Sequence, residues 1–369
     1  MKTGRRSLVV QTGLLFIVAL APRLVGLGQF LTVDEKNWVG RGWEFTRAIK
    51  EFRFNDTLQT THPGIPTLLV SGLSSAATSR ALERPFSFDD LRIYALASRV
   101  PLAIINSLLV VALFLSVRGF LADLPSFLFG LVLAFDPFLV AHSRLVHVDA
   151  LLTGFLTLSV LLLLRAEEVR SEALLAWSAV AGGLAILSKL PALALVPFVV
   201  LVLFSKDRLW RRSPSLETPG DTPEVPSAHL ALKRVSDPWE TRLGLLRLGA
   251  QWLTVVLATI LLFMPGLLWV PDPVGNAKII KRDLIVAVSA PHFREDEYTL
   301  DPWYYPATLL TRSTIPTLLG FTLFLTFLLL DALHRLWRHI RKRKLYGATP
   351  LLTFAGLRAR TLWLMKNSK

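Results

Sequence analysis

Charged and polar residues that sit beside apolar runs are the first features of this chain with chemical consequence. There are four groups. Asp34-Glu35 lies in Leu31-Thr32-Val33-Asp34-Glu35-Lys36-Asn37-Trp38, just past the first apolar run. His62 opens His62-Pro63-Gly64, just before the second. Arg144, His147 and Asp149 share the short stretch Ser143-Arg144-Leu145-Val146-His147-Val148-Asp149 between two apolar runs. Lys189 stands in Ser188-Lys189-Leu190-Pro191, and Arg312 follows Tyr304-Tyr305-Pro306 at the start of a late run. Ionisable residues at the margin of an apolar layer mark sites of binding or chemistry. Cations placed there suit a lipid phosphate, which lysine and arginine bind through charge-assisted hydrogen bonds. Each group also has a purely structural reading. Asp34 and Glu35 can be a solvated loop pair, and His62-Pro63-Gly64 a turn. Asp149 can be a helix N-cap, and Arg144, Lys189 and Arg312 can snorkel.

The elements that must position these residues follow from composition. Of 369 residues, 52% are hydrophobic and 18% are charged, against about 25% charged in a soluble domain. The apolar residues gather into runs of roughly 15–25, the length of a helix across a ~30 Å hydrocarbon core. That excludes an ordinary soluble enzyme, a disordered chain, a coiled coil and a solenoid. The runs are continuous and leucine-rich rather than alternating, which argues against a β-barrel. There is no cysteine, hence no disulfide, thiolate metal site or cysteine nucleophile. The formal charge is +14. Its basic residues lie mostly between the apolar runs, so topology and anionic head groups account for them better than nucleic acid does.

The expected fold is an all-α, polytopic transmembrane helix bundle of about eight spans, at 8–27, 97–117, 124–141, 150–165, 172–188, 191–205, 249–270 and 306–330. The first run has a signal-like Ala19-Leu20-Ala21, but Pro22 would follow the cut, so it is read as an uncleaved helix. A ninth candidate, 64–80, carries Ser71, Ser74, Ser75, Thr78 and Ser79 and is read as a half-inserted helix that does not cross. The positive-inside rule places the basic N-terminus, the 206–248 segment and the tail after 331 in the cytoplasm. Even parity between them requires 64–80 to stay on one side. The outer segments are then 28–96, 142–149, 189–190 and 271–305, which puts all four groups of polar residues on the outer face. Trp38 and Trp43 suggest an interfacial helix over about 35–52, its aromatic face among head groups. The 206–248 segment, rich in Pro, Ser and Thr, reads as a cytoplasmic linker. Residues 1–330 form the transmembrane domain, and 331–369 read as a basic cytoplasmic tail and as a truncated end. No internal repeat is visible.

Taken in order, these motifs resemble the GT-C glycosyltransferases that use a polyprenyl-phosphate sugar, with the nearest likeness to the protein O-mannosyltransferase and aminoarabinose transferase superfamily. Asp34-Glu35 looks like that family's acidic pair in the first outer loop. His62-Pro63-Gly64 looks like its His-Pro-Pro or Lys-Pro-Pro turn, with glycine at the second proline. Arg144 to Asp149 looks like its second acidic motif, and Asp301-Pro302-Trp303-Tyr304-Tyr305-Pro306 with Arg312 like the entry to a late span. No single motif is specific; the ordered set is.

The resemblance implies a multi-pass membrane glycosyltransferase, in the plasma membrane if the chain is prokaryotic, its site facing outward. It would move a sugar from a polyprenyl-phosphate donor to an acceptor hydroxyl on a protein or a lipid or glycan, with inversion. Asp34 would be the general base, Glu35 would orient the base or acceptor, and Asp149 with Arg144 and His147 would shape the site. His62, Lys189 and Arg312 would hold the donor phosphate. The residues permit a divalent cation without requiring one. Two other readings stand beside this one: a transporter or flippase of a lipid-linked substrate, and an inactive relative. The spans look nearly free of charge and the acids sit at one face, which favours surface chemistry over a permeation path.

Overall fold

A computed structural model of the chain describes residues 2–57, 63–204 and 242–264, with scattered positions between 318 and 330. Two compact units are present, Met1–Thr299 and Leu300–Lys369, and the architecture below is that of the first. Its described residues form helices and contain no strand. The helices are α1 (Lys2–Leu24), α2 (Val33–Lys50), α3 (Ile65–Ala81), α4 (Leu91–Val117), α5 (Asp123–Phe135), α6 (Pro137–Ser143), α7 (Asp149–Val169), α8 (Glu172–Ser188), α9 (Leu195–Phe204) and α10 (Arg242–Phe263). The chain is a multi-pass helical membrane protein.

Helices α1, α4, α7 and α10 are long and apolar enough to cross a membrane. Helices α5 and α6 form one broken unit, bent by 58°. Pro137, the first residue of α6, has no N–H to continue the ladder, and Asp136 leaves helical geometry at ψ 116°. Both sides of the break are satisfied. The Asp136 carboxylate accepts the Leu139 N–H at 2.8 Å. The buried guanidinium of Arg23 donates to the carbonyls of Leu133 and Ala134 at 3.3 and 3.1 Å. Helices α8 and α9 are shorter apolar helices. The expected count of eight spans includes those two and the 306–330 run, nearly all of which lies outside the described residues, as do the 271–305 loop and most of the 206–248 linker.

Packing of α7, α8, α9 and α10 buries Leu163, Leu175, Leu195 and Trp252. Polar contacts fix its register. Ser159 and Ser178 each donate to the other's carbonyl at 2.8 Å, and the Trp252 indole donates to Ser178 Oγ at 3.2 Å. Hydrogen bonds and small residues of this kind hold apolar helices together where hydrophobicity cannot discriminate between neighbours.

The segment between α1 and α4 begins and ends at one end of the bundle. Arg99, about two turns into α4, donates to the carbonyls of Leu27 and Phe30, just past α1. Helices α2 and α3 therefore lie within a stretch that returns to the end it left. They run side by side in the same direction. A Cβ on Gly64 would meet Trp38; one on Gly42 would meet Ser71 and Leu68; one on Gly72 would meet Thr46. The aromatic face expected among head groups is corrected on this point. Trp38 is 5% exposed and packs onto α3, because glycine and serine on the facing helix let the backbones approach closely. Buried Ser71 and Ser75 account for the polar character of the 64–80 run.

Candidate active site

Thr32-Val33-Asp34-Glu35 begins α2 as a capping box. The Glu35 carboxylate turns back and accepts from the Thr32 N–H at 2.9 Å and its hydroxyl at 3.1 Å. One position earlier on the helix, Asp34 is turned elsewhere and remains 67% exposed. The two acids of the pair thus have different environments because of a 100° step around one helix.

Glu35 is completely buried. Besides the cap, its oxygens accept from Arg99 Nε at 2.7 Å, Arg99 Nη2 at 2.5 Å and the Val146 N–H at 3.1 Å. Burial by itself would raise the carboxyl's pKa. The Arg99 hydrogen bonds, the Thr32 and Val146 N–H groups and the Arg99 charge outweigh it and hold the pKa below the usual range. Glu35 therefore joins the start of α2, the first turns of α4 and the 144–148 loop, and does not reach the open side of the site.

That loop delivers the remaining groups. Its carbonyl at His147 accepts from Thr67 Oγ1 of α3 at 3.2 Å, and the Trp38 ring meets His147 edge-on at 6.1 Å between centroids. His147 stands between the two acidic motifs, with Nε2 3.8 Å from Asp34 and Nδ1 3.3 Å from Asp149. Burial is the largest influence on it and lowers its pKa. The carboxylates of Asp149 and Asp34 oppose that shift, while Lys189 and His142 add to it, and the imidazole titrates below its ordinary value. On the far side of Asp149, Lys189 Nζ lies 3.0 Å from the other carboxylate oxygen. Asp149 is the first residue of α7, and the cap position falls to Val148 with no side-chain cap bond. The N-cap reading of Asp149 is corrected accordingly: its carboxylate serves Lys189 and His147.

Of the residues expected from the sequence, Asp34, His147, Asp149 and Lys189 are brought together. Arg144 points away, donating to the Val25 carbonyl beyond α1, so it fastens the loop to the first helix. His62, Arg312 and the 301–306 motif lie outside the described residues. Gly64 adopts φ +60°, and a Cβ there would fall 2.3 Å from the Trp38 ring. Proline, fixed near φ −65°, cannot adopt that backbone, which explains glycine at this turn. Two residues of consequence escaped the sequence reading. Arg99 was hidden within an apolar run, although a lone arginine there is itself a signal. His142, on α6, lies close to His147 and Asp149. Along α2, beginning two residues after Asp34, an open groove of about 760 Å³ is lined by Lys36, Arg41, Trp43, Phe86 and Phe88 among others.

Comparison with known proteins gives one finding. Residues 94–218 match the family model of dolichyl-phosphate-mannose-protein mannosyltransferases. No curated protein and no solved structure matches the chain. The matched segment runs from the first turn of α4 through α9, and so includes Arg99, the 144–148 loop, Asp149 and Lys189. With its apolar helices, this match supports a membrane glycosyltransferase of the GT-C type, the superfamily that the chain resembles.

Proposed function

We propose that the protein transfers a sugar from a polyprenyl-phosphate donor to an acceptor hydroxyl on the outer face of the membrane. The observation that carries this reading is the convergence of Asp34, His147, Asp149 and Lys189 from three separate stretches of sequence at one end of the bundle. An exposed carboxylate and a partly buried cation sit on either side of an imidazole, as a base and a phosphate ligand would need to.

In this reading Asp34 takes the acceptor's proton as the acceptor oxygen attacks the anomeric carbon from the face opposite the phosphate. The new bond is acceptor oxygen to carbon, and the bond that breaks is carbon to phosphate oxygen. The electron pair leaves with polyprenyl phosphate, and the sugar is inverted. General-base assistance contributes roughly 10²–10⁴-fold. Lys189, with His62 and Arg312 as further candidates, stabilises the charge that builds on the phosphate. Asp149 holds Lys189 and His147 in place. Glu35 and Arg144 are positioning residues, since each is engaged in holding loops together.

The transporter reading is weaker. Its best support is the α5–α6 break, but Arg23 and Asp136 already occupy the freed backbone groups there. The test is incubation of membranes containing the protein with several polyprenyl-phosphate sugars, following consumption of the lipid-linked sugar. Consumption by wild type and its loss in Asp34→Asn are expected. Wild-type membranes inert toward every donor would refute the proposal.

A further inference from the structure

We infer that the site holds one divalent transition-metal ion of the zinc class, bound by His142, His147 and Asp149. One ligand atom from each of these residues lies within 4.8 Å of the other two. Both imidazoles carry a buried Nδ1 that makes no hydrogen bond, that of His147 lying 3.3 Å from Asp149 Oδ2 without hydrogen-bond geometry. Buried polar atoms are nearly always satisfied, and two unsatisfied imidazole nitrogens beside a carboxylate are a donor set that a cation satisfies together. Each ring is also held in place, His142 by Phe138 at 4.3 Å between centroids and His147 by Trp38.

The chemistry of the donors selects the ion. Two imidazoles and one carboxylate suit zinc or a similar borderline ion better than magnesium or calcium, which take oxygen ligands. Three protein ligands leave a fourth position open, as in catalytic rather than structural zinc sites. Bonds of about 2.0–2.2 Å bring ligand atoms to about 3.4 Å apart in a tetrahedron, so closure needs inward movement of about an ångström. Lys189 occupies only the Oδ1 atom of Asp149. The Oδ2 atom, 3.3 Å from His147, remains for the ion. Its role rests on the transferase reading: with Lys189 held on the same Asp149 carboxylate, the open position would take an oxygen of the donor phosphate.

The test counts metal. The full chain is purified in detergent, stripped with chelator, equilibrated with zinc chloride and desalted, and zinc per chain is measured by elemental analysis. Wild type and Asp34→Asn are expected to retain one zinc. His142→Gln and Asp149→Asn are expected to retain less than a tenth of that. Thermal unfolding of wild type provides a second readout that needs no variant. Zinc chloride should raise the midpoint and magnesium chloride should not, since a ligand bound only by the native state stabilises it. No zinc on wild type, or equal zinc on His142→Gln, would overturn the inference. Such a result leaves the transferase reading untouched, whereas inert membranes with zinc at one per chain would refute the transferase and leave the metal site standing.

Discussion

Exchanging Glu35 for glutamine removes one charge from a buried ion pair and leaves the other. Arg99 is 2% exposed and Glu35 fully buried, so water cannot replace the lost carboxylate. Two of the Arg99 contacts, to the Leu27 and Phe30 carbonyls, survive, but neither neutralises the guanidinium. Breaking a buried pair from one side costs about 3–5 kcal/mol. At 2–4 °C per kcal/mol, that is a fall of roughly 6–20 °C in the melting midpoint. The assay is thermal unfolding of purified protein in detergent, beside Asp34→Asn as the paired control. Asp34 is largely exposed, so its exchange should leave the midpoint within about 2 °C while abolishing transfer. A double variant, Glu35→Gln with Arg99→Met, should recover part of the loss because no uncompensated charge remains. If Glu35→Gln melts like wild type, or if the double variant is worse than the two single losses added together, the buried-anchor reasoning is refuted.

Other expectations follow from the same geometry. Lys189→Ala should raise the donor concentration needed for half-maximal rate by about tenfold or more, since a charged hydrogen bond is worth roughly 1.5–3 kcal/mol; an unchanged donor dependence would remove Lys189 from the phosphate site. His147 titrates below its ordinary value when folded, so the unfolded chain takes up this proton first. Its stabilising contribution is complete above about pH 6.5 and declines as the pH falls from there toward the folded value. Melting midpoints of chelator-stripped, metal-free protein from pH 7.5 to 5 should show that decline in wild type and not in His147→Gln. Gly64→Pro, which would restore a second proline, should prevent assembly of α2 on α3 and yield little folded protein, against near-normal yield for Pro63→Ala. Single cysteines at Asp56 and Glu83, in a chain with no native cysteine, should both label from outside, and those at Asp123 and Ser215 only after the membrane is opened. Labelling of position 83 from the cytoplasm alone would place Asp34 and Asp149 on opposite sides and end the shared-site mechanism.

Much of this architecture was legible because membrane helices declare themselves in long apolar runs. The motif residues were legible because charge beside such runs is rare. What the sequence concealed was orientation. Trp38 and Trp43 have the spacing of an interfacial helix whether the aromatic face meets lipid or protein, and only the small residues of α3 decide it. Asp149 before an apolar helix looks like a cap until Lys189, forty residues away in sequence, is seen to claim it. Arg99 vanished because twenty-odd apolar neighbours outweigh one guanidinium in any window average. The Thr32-Val33-Asp34-Glu35 pattern did carry the capping-box signature, and that alone would have separated the duties of the two acids.

The anchor formed by Glu35 and Arg99 has a consequence for what can move. Three walls around Asp34 are riveted to one another: the start of α2, the early turns of α4 and the strip bearing His147. None of them can swing aside to admit a bulky lipid tail or a folded acceptor without extracting a charge from its counter-charge. The frame around Asp34 is thus a fixed jaw. Adjustment to guests of different shape falls to the stretches that this rivet does not reach, and variation among relatives in substrate choice should accumulate there while the jaw itself stays constant.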